Sequence, residues 1–184
     1  MIIATDRLIL RDWQPADRVP FAELNGDARV MQFMPGALSR AESDELAARI
    51  SEHLARNPFG LYAAELRSTR AFIGFIGLSV PRFTAHFTPC VEIGWRLAHE
   101  YWRQGLATEG ARAVAHHAFH DLRVPSLVSC TAPGNLRSRR VMEKLCMTHD
   151  RADDFDHPTL PEGHPLRRRV LYRLQGSAHA SGRR

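Results

Sequence analysis

The chain has 184 residues, 44% of them hydrophobic, and a formal net charge of +5. That length and composition suit one folded domain with its own apolar core. No apolar run is long enough to cross a bilayer, Met1 to Ala4 are followed at once by charge, unlike a signal peptide, and three scattered cysteines (Cys90, Cys130, Cys146) make neither a disulfide frame nor a zinc site. A cytoplasmic protein without a membrane partner is expected. The positive charge is almost all arginine, Lys144 being the one lysine. Its clusters, Arg137/Arg139/Arg140 and Arg167 to Arg169 among them, lack interleaved aromatics, so nucleic acid is not an expected partner.

Residues 7–13 set Leu8 and Leu10 against Arg7, Ile9 and Arg11 and read as a first strand. Pro15 and Asp17 suit the first turn of a helix whose apolar face is Val19, Phe21, Ala22 and Leu24, and Asn25-Gly26 ends it. A helical turn at 27–33 is broken by Pro35-Gly36. Ser39 and Glu42 form a capping box for a helix reaching Arg56, with Leu46, Ala47, Ile50 and Leu54 as its buried stripe. Strands follow at 61–66 and 71–80. The second is apolar on both faces, as in a central strand, and its Gly74 and Gly77 mark a bulge or a close approach of another element. Residues 81–89 are a loop. Past a helix ending near Leu122 come a strand at 126–131, a turn at Pro133-Gly134-Asn135, a helix at 136–145 and a strand at 147–151. An acidic, proline-rich loop then leads to a closing strand at 168–174. Residues 175–184 are small and polar without periodicity and read as a frayed tail, leaving residues 1–174 as the domain.

The stretch 92–115 organises the rest. Val91, Ile93, Trp95 and Leu97 alternate with Glu92, Gly94 and Arg96 as a strand. The chain turns through Arg103, Gln104, Gly105, Leu106, Ala107 and Thr108 and enters a helix whose inner face is Ala107, Ala111, Val114, Ala115 and Ala118. Unpaired N–H groups at such a helix start suit a phosphate or pyrophosphate. Gly105 lets the backbone approach a ligand without a Cβ in the way. An ordinary strand–loop–helix connection would read the same way. Neither a Walker loop nor a dinucleotide fingerprint is present.

The run EIGWRL…YWRQGLATEGARA resembles the acetyl-CoA-binding motif of the GNAT N-acetyltransferase superfamily, and most of all its ribosomal-protein N-terminal acetyltransferase branch. Gly105 and Ala107 match the signature, while Trp102 stands where Gln or Arg is common. Two further motifs in the right order support the likeness: Asn135-x-x-Ser138-x-x-Val141-Met142-Glu143-Lys144-Leu145, and the opening Thr5-Asp6-Arg7-Leu8-Ile9-Leu10-Arg11. The resemblance implies a single-domain α/β (α+β) fold. Its mixed, mostly antiparallel sheet of about seven strands carries helices on both faces and a splayed strand pair that holds CoA. It implies an N-acetyltransferase, with acetyl-CoA as cosubstrate and direct transfer to a primary amine: a protein N-terminus, an amino acid or a small amine. A non-catalytic CoA-binding module is the alternative. A monomer or homodimer is expected.

Within that likeness, the backbone of Arg103, Gln104, Gly105, Leu106, Ala107 and Thr108 would hold the pyrophosphate. The strand Trp95, Arg96 and Leu97 would run beside the pantetheine arm. Asn135 would contact that arm by analogy, or simply cap its helix. Phe33 and Met34 would face the acceptor; spacing alone makes them loop. Glu92 is the candidate proton acceptor, through water, with a salt bridge as its ordinary alternative. Asp153, Asp154, Asp156 and His157 compete for that role. Many members carry a tyrosine where this chain has Met142, so Ser138 is the candidate donor to the leaving thiolate, or else a hydroxyl bonded to its own helix. Cys146-Met147 departs from the usual Gly-Phe. His116, His117 and His120, with His116 and His120 four apart on a helix, lack an HExxH pattern or an obvious third ligand; a solvent-facing helix end is expected, and no metal.

Overall fold

The computed structural model describes residues 2–176. Two strands, β1 (Ile3–Ala4) and β2 (Leu8–Arg11), are followed by a short 3-10 turn and helices α1 (Arg18–Gly26), α2 (Ala28–Met31) and α3 (Arg40–Arg56). Then come β3 (Leu61–Leu66), β4 (Phe72–Ser79), β5 (Glu92–Leu97), α4 (Leu106–His120), β6 (Ser126–Thr131) and α5 (Leu136–Lys144). Short strands β7 (Thr148–His149) and β8 (Phe155–Asp156) precede the long β9 (Arg168–Gln175). Among the described residues the sheet has nine strands in the order β1-β2-β3-β4-β5-β6-β9-β7, with β8 on β9. The count exceeds seven by the two-residue strands β1 and β8. The alternation at 7–13 and 147–151 overstated both strands. Gln175, expected in the tail, instead closes β9, and residues 177–184 of that expected tail lie outside the described ones.

Every pairing is antiparallel except β5 with β6. That parallel contact has one register pair, Glu92 opposite Val128, and one flanking bond, Val128 N–H to the Val91 carbonyl at 2.9 Å. Beyond it β5 continues to Leu97 paired only with β4. The gap between β5 and β6 is the splay that the family likeness implied.

Two apolar layers hold the sheet. On one face α4 packs Ala111, Val114, Ala115 and Ala118 against Ile76, Leu78, Ile93 and Leu97. On the other, α1 and α3 bring Phe21, Leu24, Ala47 and Ile50 onto Phe75. Val19, expected on the inner face of α1, is 51% exposed, because the inward stripe is set by Phe21 and Leu24. The capping box of α3 is present, with Ser39 accepting from the Glu42 N–H and Glu42 accepting from the Ser39 N–H. Gly74 carries φ +135, and a Cβ there would sit 2.1 Å from the Arg96 carbonyl oxygen, so the β4–β5 approach needs glycine.

Arg11, expected on the polar face of its strand, is buried in an ion-pair network. Its guanidinium donates to Asp17 at 2.7 and 2.9 Å and to Glu65 at 2.6 Å. Those carboxylates hold the Arg11 pKa above its already high ordinary value.

Candidate active site

β5 leaves the sheet at Leu97, passes a 3-10 turn at His99–Tyr101 and enters the loop before α4. Trp102 fastens this loop to its own strand, its indole N–H donating to the Leu97 carbonyl at 2.8 Å. Trp102, where Gln or Arg is common, therefore has a structural task here. Arg103 and Gly105 both have positive φ, 60 and 79. Gly105 caps α4 with no side-chain bond, so the first-turn amides of a 15-residue helix are left without a capping oxygen.

The loop is braced from outside. Glu109 in the first turn of α4 accepts from the Thr5 hydroxyl at 2.6 Å, the Arg7 N–H at 2.8 Å and the Arg7 Nε at 2.7 Å. Arg7 also donates to the Gln104 carbonyl at 2.9 Å. The opening motif and the loop motif are thus one assembly in space.

A cleft of about 390 Å³ lies over this loop. Its walls are Arg29, Val30, Phe33 and Met34 from the α2 side, Trp95, Arg96 and Leu97 from β5, and the loop itself. The far wall is Asn135, Arg137, Ser138, Arg140, Val141 and Lys144 from α5 and its cap. Of the residues expected at the site, Trp95, Arg96, Leu97, Arg103, Gly105, Leu106, Ala107, Thr108, Asn135, Ser138, Phe33 and Met34 meet here. Gln104 and Glu92 do not line the cleft. The Gln104 amide turns back to the Glu100 carbonyl at 2.9 Å. Glu92 sits at the β5–β6 junction, where the Cys130 thiol donates to its carboxylate at 3.3 Å. Burial pushes the Glu92 pKa up, against the opposing pull of Cys130 and of the Arg169 charge.

The cleft has one sign. Arg29, Arg96, Arg103, Arg137, Arg140 and Lys144 border it, and no Asp or Glu does. Arg137 lies over the Trp102 ring at 4.4 Å and donates to Gln32 at 3.1 Å, reaching from α5 across to the facing wall. Two of the three residues in the cluster Arg137/Arg139/Arg140 thus serve this cleft. Their i, i+3 and i+7 spacing with Val141 and Lys144 was a readable signal, since Ser138 marks the same face.

Asn135 caps α5 through its side-chain oxygen, which accepts from the Ser138 N–H at 3.3 Å. Its amide nitrogen donates to Thr131 at 2.9 Å and to the Ser138 hydroxyl oxygen at 3.2 Å. Ser138 thus accepts from Asn135 and keeps its own hydroxyl hydrogen for another partner. Met142, at the position of the family's tyrosine, is buried in the core. The turn after α5 survives the loss of glycine. Cys146 takes φ 61, and the Met147 N–H reaches the Met142 carbonyl at 3.1 Å, as in a Schellman ending.

The competing late-loop acids are engaged elsewhere. Asp153 pairs with Arg173 at 2.6 Å, Asp154 with His149 at 2.7 Å and Asp156 with Arg168 at 3.5 Å. His157 packs on Phe83 at 4.5 Å between ring centroids. On α4, His116 and His120 stack, but His117, expected at a solvent-facing end, is buried and bonded to Asp121 at 2.7 Å. Among the described residues no group of three His, Cys, Asp or Glu is placed to hold a metal. No helix there is long and apolar enough to cross a membrane.

An uncapped helix start below a parted strand pair, in a cleft lined by cations, suits a ligand that carries phosphates. The model of the acetyltransferase (GNAT) domain family matches residues 7–148, and the chain belongs to that family. It is an acyltransferase, and the family's reaction draws its acetyl group from acetyl-CoA. The chain is 28% identical over 163 residues to the uncharacterized N-acetyltransferase YnaD of Bacillus subtilis (strain 168), spanning 89% of this chain and 90% of that protein. It shares its fold with a GNAT-family acetyltransferase from Bacillus anthracis, at TM-score 0.79 and 23% identity, over 96% and 99% of the two chains. The ribosomal L7/L12 alpha-N-protein acetyltransferase RimL, solved with coenzyme A, aligns at TM-score 0.77 and 14% identity over 95% and 98%.

Proposed function

We propose that this chain transfers acetyl directly from acetyl-CoA to a primary amine, with no covalent enzyme intermediate. The observation that carries the reading is the uncapped start of α4 at Gly105, opening into a cleft with six basic side chains and no acidic one. An acetyl thioester with a pyrophosphate in its carrier fits both features. The main chain at 103–108 holds the phosphates, and the free edge of β5 at Trp95, Arg96 and Leu97 runs beside the pantetheine arm. A main-chain N–H in the 94–96 segment polarises the thioester carbonyl.

Glu92 takes the amine proton through water. Its raised pKa makes it a better base than an ordinary surface carboxylate. Ser138, already accepting from Asn135, turns its hydroxyl hydrogen to the leaving sulfur. Phe33 and Met34 border the acceptor. The motif likeness to the ribosomal-protein branch rests, in structure, on matches such as RimL at 14% identity, which speak to the fold. Protein N-termini, amino acids and small amines therefore all belong in the screen. We further propose a cytoplasmic monomer or homodimer acting without nucleic acid or membrane.

The test is thiol release from acetyl-CoA across a panel of amines, with acetylated products confirmed by mass. Turnover on at least one amine class is expected. Tight binding of acetyl-CoA with no turnover on any amine would instead make this a non-catalytic CoA-binding module.

A further inference from the structure

The Arg96 side chain stands on the wall of the cleft without an anion of its own. One terminal nitrogen donates to the Asn25 side-chain oxygen at 2.6 Å and the other to the Met34 sulfur at 3.4 Å. The guanidinium lies 5.3 Å from the Phe75 ring centroid. Its Nε is shut off from solvent and has no acceptor among the described residues. No carboxylate of the described residues lies within ion-pair distance of Arg96, whereas the buried Arg11 has both Asp17 and Glu65. A guanidinium has five N–H donors, and only two are used here, one of them on a weakly accepting sulfur.

A half-buried cation with neutral neighbours is costly to desolvate further unless something supplies the opposite charge. Burial alone lowers the Arg96 pKa to about 10, which still leaves it charged at neutral pH. Asn25 is itself fully buried and held by Ser43 at 2.9 Å, so the guanidinium is aimed and not floppy. We infer that Arg96 binds a carboxylate on the acceptor, so that the amine acetylated here belongs to a small molecule carrying an acid group as well. This deepens the acetyl-transfer reading above and rests on it.

Register supports the assignment. Ile93 and Leu97 pack on the α4 face of the sheet, so Glu92, Gly94 and Arg96 share the opposite face. Successive members of that row are about 6.5–7 Å apart. A Cβ built on Gly94 meets nothing within 4 Å. Open space thus lies between the proposed proton acceptor and a cation that lacks a counter-ion, which suits a short amino acid. The cleft has no acid to hold the second ammonium of a polyamine, and Arg96 would repel it.

The experiment uses matched pairs: an α-amino acid and its amide, an ω-amino acid and its amide, a polyamine, and two peptides differing by an acidic second residue. Rates are measured at saturating acetyl-CoA, and binding of each amine to the CoA-bound protein by calorimetry. The acid member of the small-molecule pairs should win by roughly 10- to 100-fold in kcat/KM, the range for a lost hydrogen bond to a charged group. Arg96→Gln should erase that preference chiefly through KM, Arg96→Lys should restore part of it, and CoA affinity should stay as in the parent. Equal rates for acid and amide in the parent, equal losses on every amine in Arg96→Gln, a matching loss of CoA affinity, or a preference confined to the acidic peptide would each overturn the assignment. If no amine turns over, the acetyl-transfer reading fails, while calorimetry still shows whether the CoA complex selects the acid.

Discussion

Arg7 and Glu109, 102 residues apart in sequence, meet at 2.6 Å, and the same guanidinium reaches the Gln104 carbonyl. The pair ties the first ordered strand region to the helix start that is proposed to grip the pyrophosphate. Arg7 is half exposed, so the contact adds little to global stability. Its effect should be positional. Arg7→Met is expected to weaken CoA binding several-fold in calorimetry while leaving the melting temperature nearly unchanged. A normal CoA affinity would show that the loop holds its shape unaided.

Glu92 should trade stability against rate. Burial raises its folded pKa, so ionisation above the ordinary carboxylate range opposes folding. Glu92→Gln is therefore expected to melt higher than the parent at neutral pH. The difference should vanish at pH values below the unfolded carboxylate pKa, where both side chains are neutral. The same substitution should slow acetyl transfer by about 10²- to 10⁴-fold if Glu92 is the base. It should also remove the acidic limb of the kcat/KM profile, which in the parent should lie above the usual carboxylate range.

Gly94 separates the acceptor space from the fold. Nothing within 4 Å would meet its added Cβ, and its φ is not in the left-handed region. Gly94→Val should fold and bind CoA as the parent does, because valine suits a strand. It should lose acetyl transfer through acceptor KM. Unaltered kinetics would place the acceptor elsewhere.

Cys146 holds the left-handed position that ends α5, at φ 61. An L-residue there costs roughly 1–2 kcal/mol that glycine avoids, offset in part by glycine's looser unfolded chain. Cys146→Gly should raise stability by about 0.5–1 kcal/mol in denaturant unfolding, with kinetics unchanged.

Arg11 makes the contrasting case. Its removal leaves Asp17 buried without its cation and Glu65 with only the exposed Arg70, 2.8 Å away, so Arg11→Met should cost about 3–5 kcal/mol.

The helices and long strands were legible because their signals are local. The Ser39–Glu42 box, the alternation in β5 and β9 and the alanine face of α4 each need one short window of sequence. The loop at Gly105 was legible through its glycine and through motif likeness. Contacts made across the sheet were not. Nothing local to Arg11 marks it as buried, since its partners arrive from Asp17 and from Glu65, 54 residues away. In sequence the basic wall of α5 is only a charge cluster, because its meaning depends on which element faces it. The motif points to the backbone of Arg96; that its side chain lacks a counter-ion depends on Asn25 and Met34, which come from distant segments. Glu92 shows the limit from the other side: its strand position was right, yet the β5–β6 junction sets it beside Cys130 and off the wall of the cleft.

The parallel junction of β5 with β6 rests on the single pair Glu92–Val128. The sheet is thereby two panels sharing one rung, β1 to β5 on one side and β6, β9 and β7 on the other. A guest whose amides bond to the open edge of β5 would supply further rungs and lace the panels together. Loading with coenzyme A should then slow hydrogen exchange along β5 and β6 at once, far from the phosphates. The empty protein would hinge where the loaded one is stiff.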